Sequence, residues 1–397
     1  MYEGSRPRQE RFTSHLLLTN DEIRIKEANI EQFRRQRYQA AFGIESWHDH
    51  TFYTKSVPLS YREAEALSRY HYSLSPNRVS EPLSDEDKKL VKELEERLDE
   101  AIKGDGRLAH GAFIKLDTRS PKDVVLYDFE NQQVKDLVKA ELEELYRNKR
   151  KQQAGGKEAA EEDLVLSPSG KISVSRAERD DNEETSTFVV ATSRAMKITS
   201  GSEALYLLAK SDRISEDLNK ILPYGEQHFD LNLILREWRD EVIERPQYEF
   251  RAFVHQNQLN AMSQYFCFCK YDDLIAREEE VKRTILDFHE SIKDKISHSS
   301  YVIDFYLTRD NRVLIIELNP FHNGAGAALF SWARDRERFM HGPFELRITK
   351  ELKESPKEIL PPFWVRFIDS CFDHPDDAPA TPAASAKQNT ESSCVLC

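Results

Sequence analysis

The sequence predicts a mixed fold, α+β or α/β in its layering, because strand-like and helix-like stretches share one chain. Three stretches carry that expectation. Residues 249–265, EFRAFVHQNQLNAMSQY, place two strand-forming runs around a turn at Gln256-Asn257. Residues 302–321, VIDFYLTRDNRVLIIELNPF, repeat the pattern around Asp310 and Asn311. Ser84-Asp85-Glu86-Asp87 opens an amphipathic helix with a capping-box pattern; Leu90, Leu94, Leu98 and Ile102 line one side and Gly104 closes it.

Taken in order, residues 1–18 are polar and read as loose. A helix is expected from about Asp21 to Ala41, with Arg34-Arg35-Gln36-Arg37 as a solvated face. Gly111–Leu116 reads as a short buried strand with Lys115 near its end, followed by a helix start with Ser120 as N-cap and Pro121 in the first turn. A lysine in such a strand costs free energy unless it reaches water or an anion. Residues 150–185, rich in Glu, Lys, Ser and Gly, read as a disordered insertion. Their Gly-Gly-Lys lacks the spacing of a P-loop. Thr187–Thr192, TFVVAT, reads as a strand, and a helix is expected from Ser202. Residues 232–238, NLILREW, form a strand ending in charge, and Asp272 to about Ile296 a long charged helix. Beyond Pro361 the chain reads as a thinning, flexible end.

The chain of 397 residues carries a formal net charge of −13, which argues against a general nucleic-acid binder or a protein held electrostatically to anionic membranes. No apolar run suits a signal peptide or a membrane span, so a cytoplasmic protein is expected. The five cysteines show no zinc-site spacing. Cys394-Val-Leu-Cys397 follows the prenylation pattern, although Cys is not a usual last residue and no polybasic segment precedes it; lipidation at Cys394 stands beside an ordinary disordered end.

The hairpin at 302–321 holds the chemistry. If Asp310 and Asn311 form a two-residue turn, Arg309 faces Arg312 and Asp304 faces Glu317. One face then collects Ile303, Phe305, Leu307, Leu314, Ile316 and Leu318; the other collects Val302, Asp304, Tyr306, Ile315, Glu317 and Asn319. Opposed carboxylates repel unless water or a cation lies between them. With Asn319 they make an oxygen set suited to Mg²⁺. A simply wet polar face is the alternative, against which Val302, Tyr306 and Ile315 count. Neutralising both carboxylates is expected to leave the fold intact or steadier. Lys115, Arg236 with Glu237, and Glu249 with Arg251 also fall at strand ends, and cations beside such a trio are what a nucleoside triphosphate with Mg²⁺ requires.

These residues resemble the cell division cycle protein 123 family in four stretches: FIKLDTRSPKD (113–123), LILREW (233–238), EFRAFV (249–254) and IDFYLTRDNRVLIIELNPF (303–321). SWHDHTFYTKSVPL (46–59) is similar to the family's N-terminal segment. The resemblance implies an α+β, ATP-grasp-like fold with nucleotide between two α+β subdomains. It would occupy residues 45–365, with 1–44 an N-terminal extension and helix and 366–397 a flexible tail. It further implies ATP and Mg²⁺ as cofactors: Lys115 toward the phosphates; Glu237, Trp238 and Arg239 at the adenine-side hinge; Glu249 and Arg251 lining the pocket; Asp304, Glu317 and Asn319 on the metal. The family usually has Asp where this chain has Glu317, an acidic loop where it reads HNGAGAALF, and an arginine where it has Tyr265.

The family role implied is that of an assembly factor joining the gamma subunit of eukaryotic initiation factor 2 to its companions. The alternatives are an ATP-grasp ligase that activates a carboxylate as an acylphosphate for an amine or thiol, and a purely structural member. His322, just past Asn319-Pro320-Phe321, is a proton carrier or a surface histidine.

Overall fold

The computed structural model describes residues 48–74, 82–153, 166–167 and 169–373. The expected helix at 21–41 with its arginine cluster, and the Cys394 end, lie outside them. None of the described helices is long and apolar enough to cross a membrane.

The first lobe is built on three antiparallel strands, β1 (Thr54–Pro58), β2 (Ala112–Leu116) and β3 (Asn232–Glu237), in the order β1-β3-β2. The central strand buries Leu233 and Leu235, which face Leu116 and Ile114 of β2. Around the sheet pack α1 (Tyr61–Ser73), α2 (Asp85–Lys103), α3 (Lys122–Tyr127), α4 (Gln132–Gln153), α5 (Asp181–Arg194), α6 (Gly201–Lys210) and α7 (Asp212–Ile221). Capping boxes start α1 at Ser60 with Glu63 and α6 at Ser200 with Glu203. Gly201 lets α6 press on α2: a Cβ there would stand 2.1 Å from the Glu95 carbonyl oxygen.

The second lobe is a five-stranded sheet of β4 (Glu249–His255), β5 (Gln258–Gln264), β6 (Tyr301–Leu307), β7 (Val313–Pro320) and β8 (Glu345–Arg347), in the order β7-β6-β4-β5-β8. Only the β5–β8 pair is parallel. The helix α8 (Glu278–Ile292) covers one face through Val281, Ile285 and Ile292. On the other face Phe253 and Val302 lie under a cluster of Phe330 and Phe339, joined by Phe321 and Trp332, contributed by the segment after β7 and by α9 (Arg336–His341). Alternation along β4 therefore points Glu249, Arg251, Phe253 and His255 to one side. The chain returns to the first lobe as α10 (Pro362–Ser370).

Several expectations are corrected. Thr187–Thr192 is helix, inside α5: Asp180 caps Asn182 and Glu183, and the β-branched run is overruled by helical packing of Phe188 and Ala191 in the core. Residues 169–185 are folded rather than disordered, with Ile172 and Val174 buried. In that stretch Arg179 meets Glu184 through two contacts of 2.8 Å, the Tyr146 hydroxyl donates to Glu184 at 2.6 Å, and Lys357 closes the cluster at 2.5 Å. Ser120 does not cap α3, which starts at Lys122 without a side-chain cap. The helix expected from Asp272 to Ile296 breaks at Arg277 between a short turn and α8. Trp364, Ile368 and Phe372 are fully buried, so the core runs past the boundary placed at residue 365.

The 302–321 hairpin is also revised. Its loop is Arg309-Asp310-Asn311, closed by the Thr308 amide on the Arg312 carbonyl, with Asn311 at φ 57°. That shifts the strand ends by one residue, and an unpaired Ile316 restores the count, so Asp304 still faces Glu317. The price falls on residues 313–315: Ile315, not Ile316, pairs with Phe305 in the core, and Leu314 pairs with Tyr306.

Candidate functional site: a charged cleft between two sheets

The facing surfaces of the lobes enclose two adjoining chambers. One is a mainly apolar slot of about 190 Å³ walled by Phe113, Val125, Leu126, Met196, Trp238 and Phe266. The other is a polar chamber of about 680 Å³, within the size usual for ligand sites, reached by Lys115, Arg119, Arg213, Arg251, Glu317 and Asn319. Lys122 and Tyr265 line both and mark the seam.

The chamber's floor comes from β4, β6 and β7. Arg251 and Asp304 are register partners on neighbouring strands, and the guanidinium grips the carboxylate with two bonds, 2.8 and 2.7 Å. Glu317, opposite Asp304 on β7, accepts from Lys115 Nζ at 3.1 Å, a contact that crosses from β2 of the other lobe. Asn319 donates to the second Glu317 oxygen at 3.3 Å. Each of the opposed carboxylates thus has a cationic partner, and both partners are the protein's own. The expectation that neutralising both acids would relieve repulsion is therefore corrected: it would strip partners from two buried cations.

The three acids of the cleft sit in different fields. Burial opposes ionisation of Glu317, yet Lys115, Lys122 and Arg251 hold it well below the usual carboxylate range. Burial raises Asp304, with Arg251 pulling the other way. Glu249, buried at the seam, makes no side-chain hydrogen bond among the described residues, and desolvation lifts it to about 8 despite Lys122.

Sequence reasoning missed Lys122. It stands 3.4 Å from the Tyr265 hydroxyl and lies over that ring at 5.3 Å, while Arg251 lies over the same ring at 4.9 Å. A cation thus reaches Tyr265 from the opposite lobe. The signal was present as the second lysine of FIKLDTRSPKD, but only the fold turns it into the cleft.

Where the adenine-side hinge is expected, the Glu237 and Trp238 amides are already engaged, by the carbonyls of Tyr53 (2.9 Å) and Gly111 (3.0 Å), and Glu237 holds Arg239 at 2.8 Å. Arg236 reaches across to the Ile316 carbonyl, and Thr51 to that of Ile315 at 2.6 Å. The lobes are thereby tied to each other at the bulge of β7. His322 is exposed and stands outside the polar chamber, its Nδ1 accepting from the Gly324 amide.

Among the described residues no three His, Cys, Asp or Glu side chains converge as a metal-ligand set. Two carboxylates and one amide do converge. Asp304 has both oxygens engaged by Arg251, whereas Glu317 is partly exposed and faces the chamber.

The fold and cleft define a two-lobed protein of mixed helix and sheet whose lobes share a charged recess. Residues 184–361 match the D123 family model. It is 29% identical over 170 residues to a Dictyostelium discoideum protein named translation initiation factor eIF2 assembly protein, the match covering 42% of this chain and 44% of that one. A Xenopus laevis protein of the same name is 27% identical over 162 residues, with 39% and 47% covered. The cell division cycle protein 123 of Eremothecium gossypii is 30% identical over 145 residues, with 35% and 39% covered. The matches span about half the length of these relatives or less. Among solved structures, Cdc123 from Schizosaccharomyces pombe aligns over 79% of this chain and 96% of its own, with 19% identity and a TM-score of 0.47.

Proposed function

We propose that the chain binds ATP with Mg²⁺ in the interlobe cleft, in the manner of an ATP-grasp protein, and acts as an assembly factor for eukaryotic initiation factor 2 through its gamma subunit. The observation that carries the nucleotide reading is the junction of an apolar slot with a cation-rich chamber over facing carboxylates. The names of the relatives support the assembly role.

In this reading the base enters the slot beside Trp238, framed by Glu237 and Arg239, and the phosphates reach Lys115, Lys122 and Arg251. Glu317 and Asn319, with Asp304 behind them, would hold Mg²⁺, which would supply neutralisation of negative charge there. Lys115 has two anionic partners within this scheme, Glu317 before binding and phosphate after it. Glu249 at the seam lines the pocket where the base gives way to the polar part of the ligand.

Calorimetric titration with Mg·ATP, and with ATP in excess chelator, tests the site. Saturable, Mg²⁺-dependent binding is expected, lost in the Asp304→Asn, Glu317→Gln double variant. Unchanged affinity in that variant overturns the assignment of the trio. Co-purification with the gamma subunit, dependent on the same residues, tests the assembly role.

A ligase reading is favoured by one feature: the chamber extends beyond Lys115 to Arg119 and Arg213, whose Nη1 is buried without a hydrogen bond among the described residues. That corner suits a carboxylate acceptor. Release of ADP or AMP that depends on a small acid would establish this reading and sink the binding-only one.

A further inference from the structure

The side of β4 that supplies Glu249 and Arg251 to the cleft continues to Phe253, under the aromatic cluster, and then to His255. There a second recess of about 780 Å³ opens, lined by His255, Phe321, His322, Trp332, Arg336 and Met340. It lies outside the nucleotide chambers and takes in the segment after Asn319-Pro320 that the proposed function leaves unused. We propose that this recess is a docking site for an acidic peptide segment of a partner protein, anchored by one aromatic or large aliphatic side chain.

The recess is preformed. Phe321 and Trp332 meet edge to face with centroids 5.2 Å apart, and Trp332 rests on Phe339 at 4.9 Å. Phe339 in turn stacks on Phe253 at 4.2 Å. The Trp332 indole nitrogen donates to the Ala325 carbonyl at 2.6 Å, which fixes the ring. Phe321 and Trp332 nonetheless stay only partly covered. Rigid, partly exposed aromatics cost little entropy on binding, and Trp and Arg dominate binding hot spots.

The charge around this floor selects the occupant. Among the described residues no Asp or Glu lines the recess, in a chain whose net charge is −13. Arg336 is exposed and makes no ion pair among the described residues, while nearby Arg338 and Arg347 are spent on Glu345 and Asp335. His255, 3.1 Å from the Ser300 hydroxyl and 5.3 Å from the Phe321 ring, and exposed His322 add polar nitrogen to the rim. One unpaired arginine beside two aromatic rings suits a carboxylate next to an apolar anchor. A nucleic acid wants a track of several cations along its phosphates, and the overall charge repels it.

The test is fluorescence anisotropy on the full chain with a labelled peptide carrying aspartates and glutamates around a single tryptophan. Three comparison probes are the same peptide with lysines for its acids, the peptide with alanine for tryptophan, and a single-stranded oligouridine of equal length. Saturable binding of the acidic peptide that weakens with salt is expected, with hydrogen-exchange protection confined to 320–323 and 332–340. Trp332→Ala should abolish it. Arg336→Glu, at an exposed position, should weaken it by about tenfold or more with an unchanged melting temperature. The proposal is overturned by no saturation at about 1 mM peptide, by equal binding of the lysine or alanine peptide, by tighter binding of oligouridine, or by an Arg336→Glu variant that binds as well as wild type.

Discussion

Arg179 and Glu184, with side chains 1% and 0% exposed, sit in a cluster where each charge meets its opposite: Glu184 faces Arg179, Lys357 and the Tyr146 hydroxyl, and Arg179 also reaches Asp369. The cleft buries similar groups with a different result. There Asp304 is saturated by Arg251, Glu317 shares one lysine with an open chamber, and the Glu249 side chain has no hydrogen-bond partner among the described residues. A closed network of charge ties elements together, since removing any member strands another. An incomplete one, at the mouth of a cavity, holds groups in a state that an incoming ligand can satisfy.

Breaking the closed cluster should give the largest effect. Glu184→Ala removes the fully buried anion that Arg179 and Lys357 share, leaving them only Asp369 and Asp181 at the edge of the cluster, and is expected to cost about 3 kcal/mol, read from the urea unfolding midpoint. A loss below about 1 kcal/mol would show that the cluster is not the tie between α4, α5 and the 357–369 segment. Asp304→Asn, which keeps one acceptor for the Arg251 fork, should cost about 1–3 kcal/mol. It should also weaken Mg·ATP binding, so stability and affinity report on the same residue separately.

Glu249→Gln sharpens the contrast through pH. The folded state favours the protonated acid, so the stability from this group is complete below its ordinary 4.5, declines as pH rises and is lost above about 8. The amide variant should match wild type near the lower limit and exceed it above the upper one. Equal midpoints at the two extremes for both proteins would place Glu249 in a wetter setting. Glu317 has the opposite sign: it is held low, so its contribution is present above the ordinary glutamate value and is lost on acidification. The smallest effect belongs to the rim. Arg119→Ala removes partly exposed contacts to Glu216 and Asp217 and should change stability by about 0.5 kcal/mol or less. It should lower affinity only for a ligand that fills that corner of the chamber.

Much of the second lobe was legible because strands announce themselves by alternation. The β4–β5 hairpin turns at Gln256 and Asn257, both at positive φ, and Asp304 faces Glu317 as the register requires. The Arg251–Asp304 fork was not legible, since it depends on β4 lying beside β6 across 53 residues, which no periodicity encodes. Lys122 was hidden for the same reason. The misreading of Thr187–Thr192 had a local remedy: Asp180 followed by Glu183 and Glu184 is a helix-start signal that outweighs the β-branched residues after it.

Ile316 is the extra residue that keeps Glu317 in line, and its consequence is mechanical. The carbonyls on either side of that kink are the ones gripped by Arg236 and Thr51 from the first lobe. The first lobe therefore holds the strand within one residue of the carboxylate, and the one-residue shift set by the Arg309–Asn311 loop is cancelled before Glu317. The kink is thus the point at which the first lobe anchors the strand that carries Glu317.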